Sequence, residues 1–106
     1  MRLHWRHCVL ALLTCAPVAV TAQDTLDVER LFRGGDTAQA LQRADKVIAE
    51  RPRDAAMRFL RGVMLSEMQR TAEAMEAFNR MIEDFPDLPE PYNNLAVLHA
   101  AQGQID

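Results

Sequence analysis

Apolar residues recur at spacings of three and four along most of the chain, and prolines and glycines cut that pattern into helix-length pieces. Leu26, Val28, Leu31 and Phe32 predict a first helix over about 25–33, closed by Gly34-Gly35, where glycine can take the left-handed conformation at little steric cost. Ala40, Leu41, Ala44, Val47 and Ile48 form one packing face of a second helix, which Asp36 or Thr37 can cap and Pro52 stops soon after Glu50. Asp54 is a plausible cap for a third helix over about 55–68, with Phe59, Leu60, Val63, Met64 and Leu65 as its apolar content. Thr71 and Glu73 open a fourth, which ends before Pro86. Leu88-Pro89-Glu90-Pro91 leads into a fifth over about 92–101, since prolines are tolerated in a first turn whose amides have no intrahelical acceptor. Glu29–Arg33 and Glu76–Arg80 stand at i, i+4, the second pair on the outside of its helix.

These pieces repeat. In a frame starting at Ala55, Gly62, Ala74, Phe78 and Pro86 take positions 8, 20, 24 and 32. Moving back by 34 residues, the tetratricopeptide period, places Ala40 under Ala74, Ala44 under Phe78, Val47 under Met81 and Pro52 under Pro86. Moving forward places Tyr92, Leu95 and Ala96 at positions 4, 7 and 8, and Gly103 at position 15, where Gly35 and Gln69 also stand. On these residues the chain resembles the exported tetratricopeptide repeat proteins of Gram-negative bacteria, over roughly residues 21–106. The resemblance implies an all-α fold in which antiparallel helix hairpins stack as a right-handed solenoid. Repeat 1 would span about 21–54, repeat 2 about 55–88 and a partial repeat 3 about 89–106, with the last hairpin unfinished. The chain departs from the consensus at position 4, which holds Asp24 and Arg58, at position 7, which holds Asp27 and Arg61, and at position 8 of the first repeat, which is Val28. Phe59 and Leu60 can shift the apolar stripe of the second repeat by one residue.

Two local features follow from this register. Gly62 in mid-helix costs about 1 kcal/mol against alanine, which makes sense if the partner helix approaches closely there, and Ala74 is the residue expected to meet it. The Gln69-Arg70 turn has no glycine, so it must be right-handed or mildly strained. The chain stops at Gln104-Ile105-Asp106, where a return helix should begin, and truncation is the favoured reading. If these 106 residues are the whole molecule, Tyr92, Leu95 and Leu98 are expected to be substantially exposed.

Residues 1–22 read as a signal peptide. Arg2 and Arg6 give a basic start, Cys8 to Leu13 an apolar core, and Val20-Thr21-Ala22 a peptidase site before Gln23. Pro17 interrupts a run already short for a span of roughly 20 residues. An uncleaved anchor and a lipoprotein modified at Cys15 are the lesser readings. Periplasmic export is the expected outcome, with secretion or lipid anchoring as alternatives. Both cysteines and the only tryptophan lie in this segment, so the exported chain would have no disulfide and no thiolate metal site. Losing Arg2 and Arg6 takes the net charge from −3 to −5. No basic stripe interleaved with aromatics suggests a nucleic-acid partner.

Catalysis has little to draw on. Beyond the leader there is one serine, Ser66, and one histidine, His99, in different repeats and without a motif around either. No helix shows a His-x-x-x-His or Glu-x-x-His spacing, so neither a metal nor a cofactor is indicated. Met64, Met75 and Met81 read as hairpin core, while Met57 and Met68 stand near edges where packing or binding could use them.

Recognition is the class the resemblance implies: the first helices of the repeats line a concave groove that holds an extended peptide or a partner helix. By register the groove would present Thr25, Glu29, Phe32 and Arg33, then Ala56, Phe59, Val63, Ser66 and Glu67, then Glu90, Asn93, Val97, Ala100 and Ala101. Phe32, Phe59, Val63, Glu67, Asn93 and Val97 are the candidate partner-binding residues, Asn93 because its amide both donates and accepts. Thr25, Glu29 and Val63 stand where the carboxylate-gripping subtype carries Lys, Arg or Asn, so capture of a C-terminal carboxylate is not supported. A non-enzymatic protein-binding scaffold is the leading expectation. An accessory fragment of a larger envelope enzyme or membrane-assembly protein is the second. A structural protein that self-associates weakly through its exposed third-repeat helix is the third.

Overall fold

Five helices follow one another with short turns between them in the computed structural model, which describes residues 17–103. They are α1 (Pro17–Arg33), α2 (Thr37–Glu50), α3 (Ala55–Glu67), α4 (Thr71–Asp84) and α5 (Pro89–Ala101). Each packs on the next, α3 against α4 most extensively, and α3 also touches α1 and α5. The arrangement is all-α, a helical solenoid of the tetratricopeptide type with no strand among the described residues. The basic and apolar start of the expected leader lies outside the described residues. The bond between Ala22 and Gln23 lies inside α1, which begins eight residues before the expected Thr25.

The turns explain the register. Where α1 ends, the Gly35 amide donates to the Phe32 carbonyl and the Asp36 amide to that of Leu31, with Gly35 at φ +87°. Where α3 ends, the Gln69 amide donates to Ser66 and the Arg70 amide to Leu65, and Gln69 itself stands at φ +62°. Both are the same left-handed closure, in which the chain folds back and satisfies the last carbonyls of the helix. Gly103 takes φ +73° at the equivalent place. The second turn therefore keeps the geometry of the first without the residue that makes it easy, which is the strained member of the two expectations.

The helix starts differ. The Asp54 carboxylate accepts from the Met57 amide at 3.0 Å and caps α3 as expected. Asp36 stands at the N-cap of α2 but makes no side-chain cap bond, so the capping role expected there is not filled. The Arg70 guanidinium precedes α4 and holds Glu73 of its first turn at 2.6 and 2.9 Å. Pro89 and Pro91 fall inside the first turn of α5.

One core runs through the stack: Val28, then Ala40, Leu41, Ala44 and Val47, then Met57, Met64 and Leu65, then Ala74, Phe78 and Met81, and lastly Leu95 and Leu98. No polar or charged residue is buried among the described residues. Met57 belongs wholly to this core, whereas Met75, expected inside it, is only half-buried beside it. Leu26 is exposed rather than part of the α1 packing face. Gly62 faces the ring of Phe78, not Ala74: a β-carbon at 62 would meet three ring atoms of Phe78 first.

The expectation for the end of the chain is corrected in part. Leu95 and Leu98 are each only 8% exposed, while Tyr92 is 44% and Val97 66% exposed. α5 is apolar on more than one side. Pro91, Leu95 and Leu98, at spacings of four and three, turn into the core, leaving Tyr92, Ala96 and Val97 outside. Burying these leucines requires only the preceding hairpin, not a return helix. Tyr92 is fixed by its hydroxyl, which donates to the Pro86 carbonyl at 2.9 Å.

The charged residues at positions 4 and 7 are accounted for by ion pairs. In the first hairpin Asp24 pairs with Arg51 at 3.1 Å and Asp27 with Arg43 at 3.1 Å. In the second, Arg58 of α3 pairs with Asp84 of α4 at 2.8 Å, and Arg61 reaches back to Asp45 of α2. The signs are thus exchanged between hairpins: acid on the first helix of one, base on the first helix of the next. Such exposed pairs contribute only about 0.2–1 kcal/mol each. Half-buried Phe59 and Leu60 supply the apolar contact that an aromatic and a leucine at positions 4 and 7 would have given.

Candidate interaction surface

Because α3 touches both α1 and α5, the three first helices lie side by side along one face of the stack. The candidate residues belong to these three helices. Phe32 of α1 and Phe59 and Val63 of α3 are half-buried and packed against the core. Glu67, Asn93 and Val97 are exposed. The Phe59 ring lies 5.7 Å from that of Phe78 at an interplanar angle of 51°, a tilted contact that fixes its orientation from beneath.

A cavity of about 300 Å³ opens beside Phe59. Ala55, Ala56 and Phe59 of α3 line it together with Met81 of α4, Leu88 of the connecting loop, and Glu90 and Pro91 of α5. The structure thus brings Phe59 together with Ala56 and Glu90, two other residues placed in the groove by register. Phe32, Val63, Glu67, Asn93 and Val97 do not line this cavity. Met81 and Leu88 were missed because they come from outside the first helices, and Pro91 because it stands off the groove positions of the register. The only sequence signal for them was the apolar Leu88 between Asp87 and Pro89, where a short loop must turn inward.

Electrostatically, the face is unevenly neutralised. Glu29 meets Arg33 at a loose 3.9 Å, while Glu67 and Glu90 have no ion-pair partner among the described residues. Glu73, in the first turn of α4, is held below the ordinary glutamate range by its hydrogen bonds from Arg70. At the opposite turn, Arg51 is raised above the usual arginine value, chiefly by its bond to Asp24. Arg53 and Arg58 stack over Phe85 at 4.9 and 5.4 Å. Asn94 is turned to its own helix, donating to the Glu90 carbonyl at 3.0 Å, whereas Asn93 is exposed.

Residues 28–89 match the profile of the tetratricopeptide repeat family, which spans the core from Val28 to the first residue of α5. The chain belongs to the tetratricopeptide repeat family. No curated protein and no solved structure matches it. A tetratricopeptide architecture of this kind is consistent with a protein–protein interaction module. Among the described residues no group of three or more His, Cys, Asp or Glu could hold a metal ion. The family is consistent with a non-enzymatic scaffold. No helix among the described residues is long and apolar enough to cross a membrane.

Proposed function

We propose that this tetratricopeptide repeat chain is a non-enzymatic scaffold that holds an extended peptide or a partner helix of another protein along the face formed by α1, α3 and α5. The observation that carries this reading is the 300 Å³ apolar cavity beside Phe59, lined from both α3 and α5 with the exposed Glu90 at its edge. An apolar recess beside exposed polar groups is the usual composition of a recognition site. Position-specific photocrosslinking tests the reading. A photoreactive side chain at Val63 or Val97 should give a discrete adduct in envelope extract, and one at Gln42 or Glu76 should not. Adducts forming only from Gln42 and Glu76 would place the partner elsewhere and reject the groove.

The place of action we propose is the periplasm, after removal of residues 1–22. Its support is the basic start at Arg2 and Arg6, the apolar Cys8 to Leu13 and the Val20-Thr21-Ala22 site. Intact-mass measurement of exported material should show a chain beginning at Gln23; a mass retaining the leader, or a lipidated Cys15, would refute it. A second reading, self-association, is favoured by the exposure of Tyr92 and Val97 on α5. Sedimentation over a concentration series tests it, and a monomer throughout would reject it.

A further inference from the structure

The cavity beside Phe59 has a chemical character that narrows its occupant. It lies where α3 and α5 begin, and helix N-termini ordinarily favour anions through their free amides and dipole. Here both ends are unsuited to that. The α3 start is already occupied by the Asp54 carboxylate, which accepts from the Met57 amide. In the first turn of α5, Pro89 and Pro91 have no amide hydrogen to offer, and Glu90 between them adds a full negative charge. Asp87 and Glu90 flank the lining residue Leu88 on the chain, both exposed and neither in an ion pair among the described residues. Arg53, the exposed cation just before α3, is stacked over Phe85 and does not line the cavity. The one charged residue in the lining of this apolar recess is therefore an acid, Glu90, with no base beside it in the lining. Its volume is at the small end of the roughly 300–1,000 Å³ of ligand pockets, the size for one side chain of a larger partner.

We propose that this cavity receives an apolar side chain of an extended peptide whose adjacent residue is lysine or arginine, the cation resting against Glu90 and Asp87. The inference rests on the scaffold reading above and adds the partner's chemistry: a basic–apolar segment, the reverse of an acidic tail.

Fluorescence anisotropy on the full chain tests it with three labelled peptides: Gly-Ser-Leu-Arg-Ser-Gly, Gly-Ser-Leu-Glu-Ser-Gly and Gly-Ser-Ser-Arg-Ser-Gly. The Leu-Arg peptide should bind best, by about fivefold over Leu-Glu, the discrimination expected of an exposed ion pair. Glu90→Lys should invert the order of the first two. Ala56→Leu, which fills the recess from an exposed position, should weaken the Leu-Arg peptide to the level of Ser-Arg. Circular dichroism melts matching the parent would show both variants folded. If Leu-Glu binds as well as Leu-Arg and both are lost in Ala56→Leu, the charge preference is overturned while the groove reading stands. If Ala56→Leu changes nothing, or no peptide binds, the cavity is not the receptor and the inference fails; the photocrosslinks then decide the scaffold reading separately.

Discussion

A β-carbon at Gly62 would lie 2.6 Å from Cε1 of Phe78 and 2.7 Å from its Cζ. The ring is fully buried, with no free direction in which to retreat. The close crossing of α3 and α4 therefore depends on a missing side chain opposite a large one. Gly62→Ala should destabilise the fold by about 1–3 kcal/mol through overpacking, although alanine gains about 1 kcal/mol in helix propensity. Phe78→Leu, which frees space at the crossing, should recover part of the loss when combined with it. Urea midpoints of the two single variants and the double variant measure this. A midpoint for Gly62→Ala at or above the parent's would mean the crossing is looser than described.

Gln69 makes the opposite prediction. It stands at φ +62° in a turn whose hydrogen bonds duplicate those at Gly35. A left-handed non-glycine residue costs roughly 1–2 kcal/mol, and glycine at a compatible site gives back about 0.5–1 in backbone entropy. Gln69→Gly should thus stabilise by up to about 1 kcal/mol, and Gly35→Ala should destabilise by about the same. Thermal melts of the pair check both signs; a lowered midpoint for Gln69→Gly would remove the idea that this turn is strained.

The architecture was readable because small, aromatic and proline residues recur in a fixed frame, and each answers to a physical necessity: Gly62 to a close crossing, Pro52 and Pro86 to a stop. The charges at Asp24, Asp27, Arg58 and Arg61 looked like failures of that pattern. Their partners, Arg51, Arg43, Asp84 and Asp45, lie on other elements, so their pairing is a tertiary property that no local period records. The left-handed Gln69 was half visible, from its place under glycines, but a glutamine does not announce a positive φ. Leu95 and Leu98 were misjudged because an all-round apolar helix has no single face from which its neighbour can be deduced. At the candidate site Phe59 was legible from register, whereas Met81 and Leu88 were not, since a cavity between three elements exists only once they are assembled.

The two aspartates that precede helices should behave unequally. Asp54 accepts from the Met57 amide and also meets Arg51 at 3.4 Å. Asp36 makes no cap bond. Asp54→Ala should cost about 1 kcal/mol, within the usual 0.5–2 for a lost cap, and Asp36→Ala only a few tenths. Denaturant titrations of the two variants give the comparison, and equal losses would show that the Asp54 cap contributes nothing.

Glu73 gives a pH dependence with a definite sign. Hydrogen bonds from Arg70 lower its proton affinity in the folded state. A group depressed in this way stabilises the fold above its unfolded value, and the contribution is lost as pH falls through the folded one. The effect on stability should be small because the pair is solvated. Carbon-detected NMR titration should find the Glu73 midpoint rising when Arg70 is replaced by glutamine. A Glu73 midpoint unmoved by that substitution would assign the shift to some other group.

The exchange of charge between the hairpins has a consequence for how such a chain can grow by duplication. Arg61, at position 7 of its repeat, reaches Asp45, at position 25 of the repeat before it. A second copy of the first hairpin stacked after itself would bring Asp27 to Asp45, acid against acid. A copy of the second stacked after itself would bring Arg61 to Asn79, which carries no charge to meet it. Only the present sequence of units satisfies the contact, so the stack has a reading direction: its members are alike in backbone and yet not interchangeable parts.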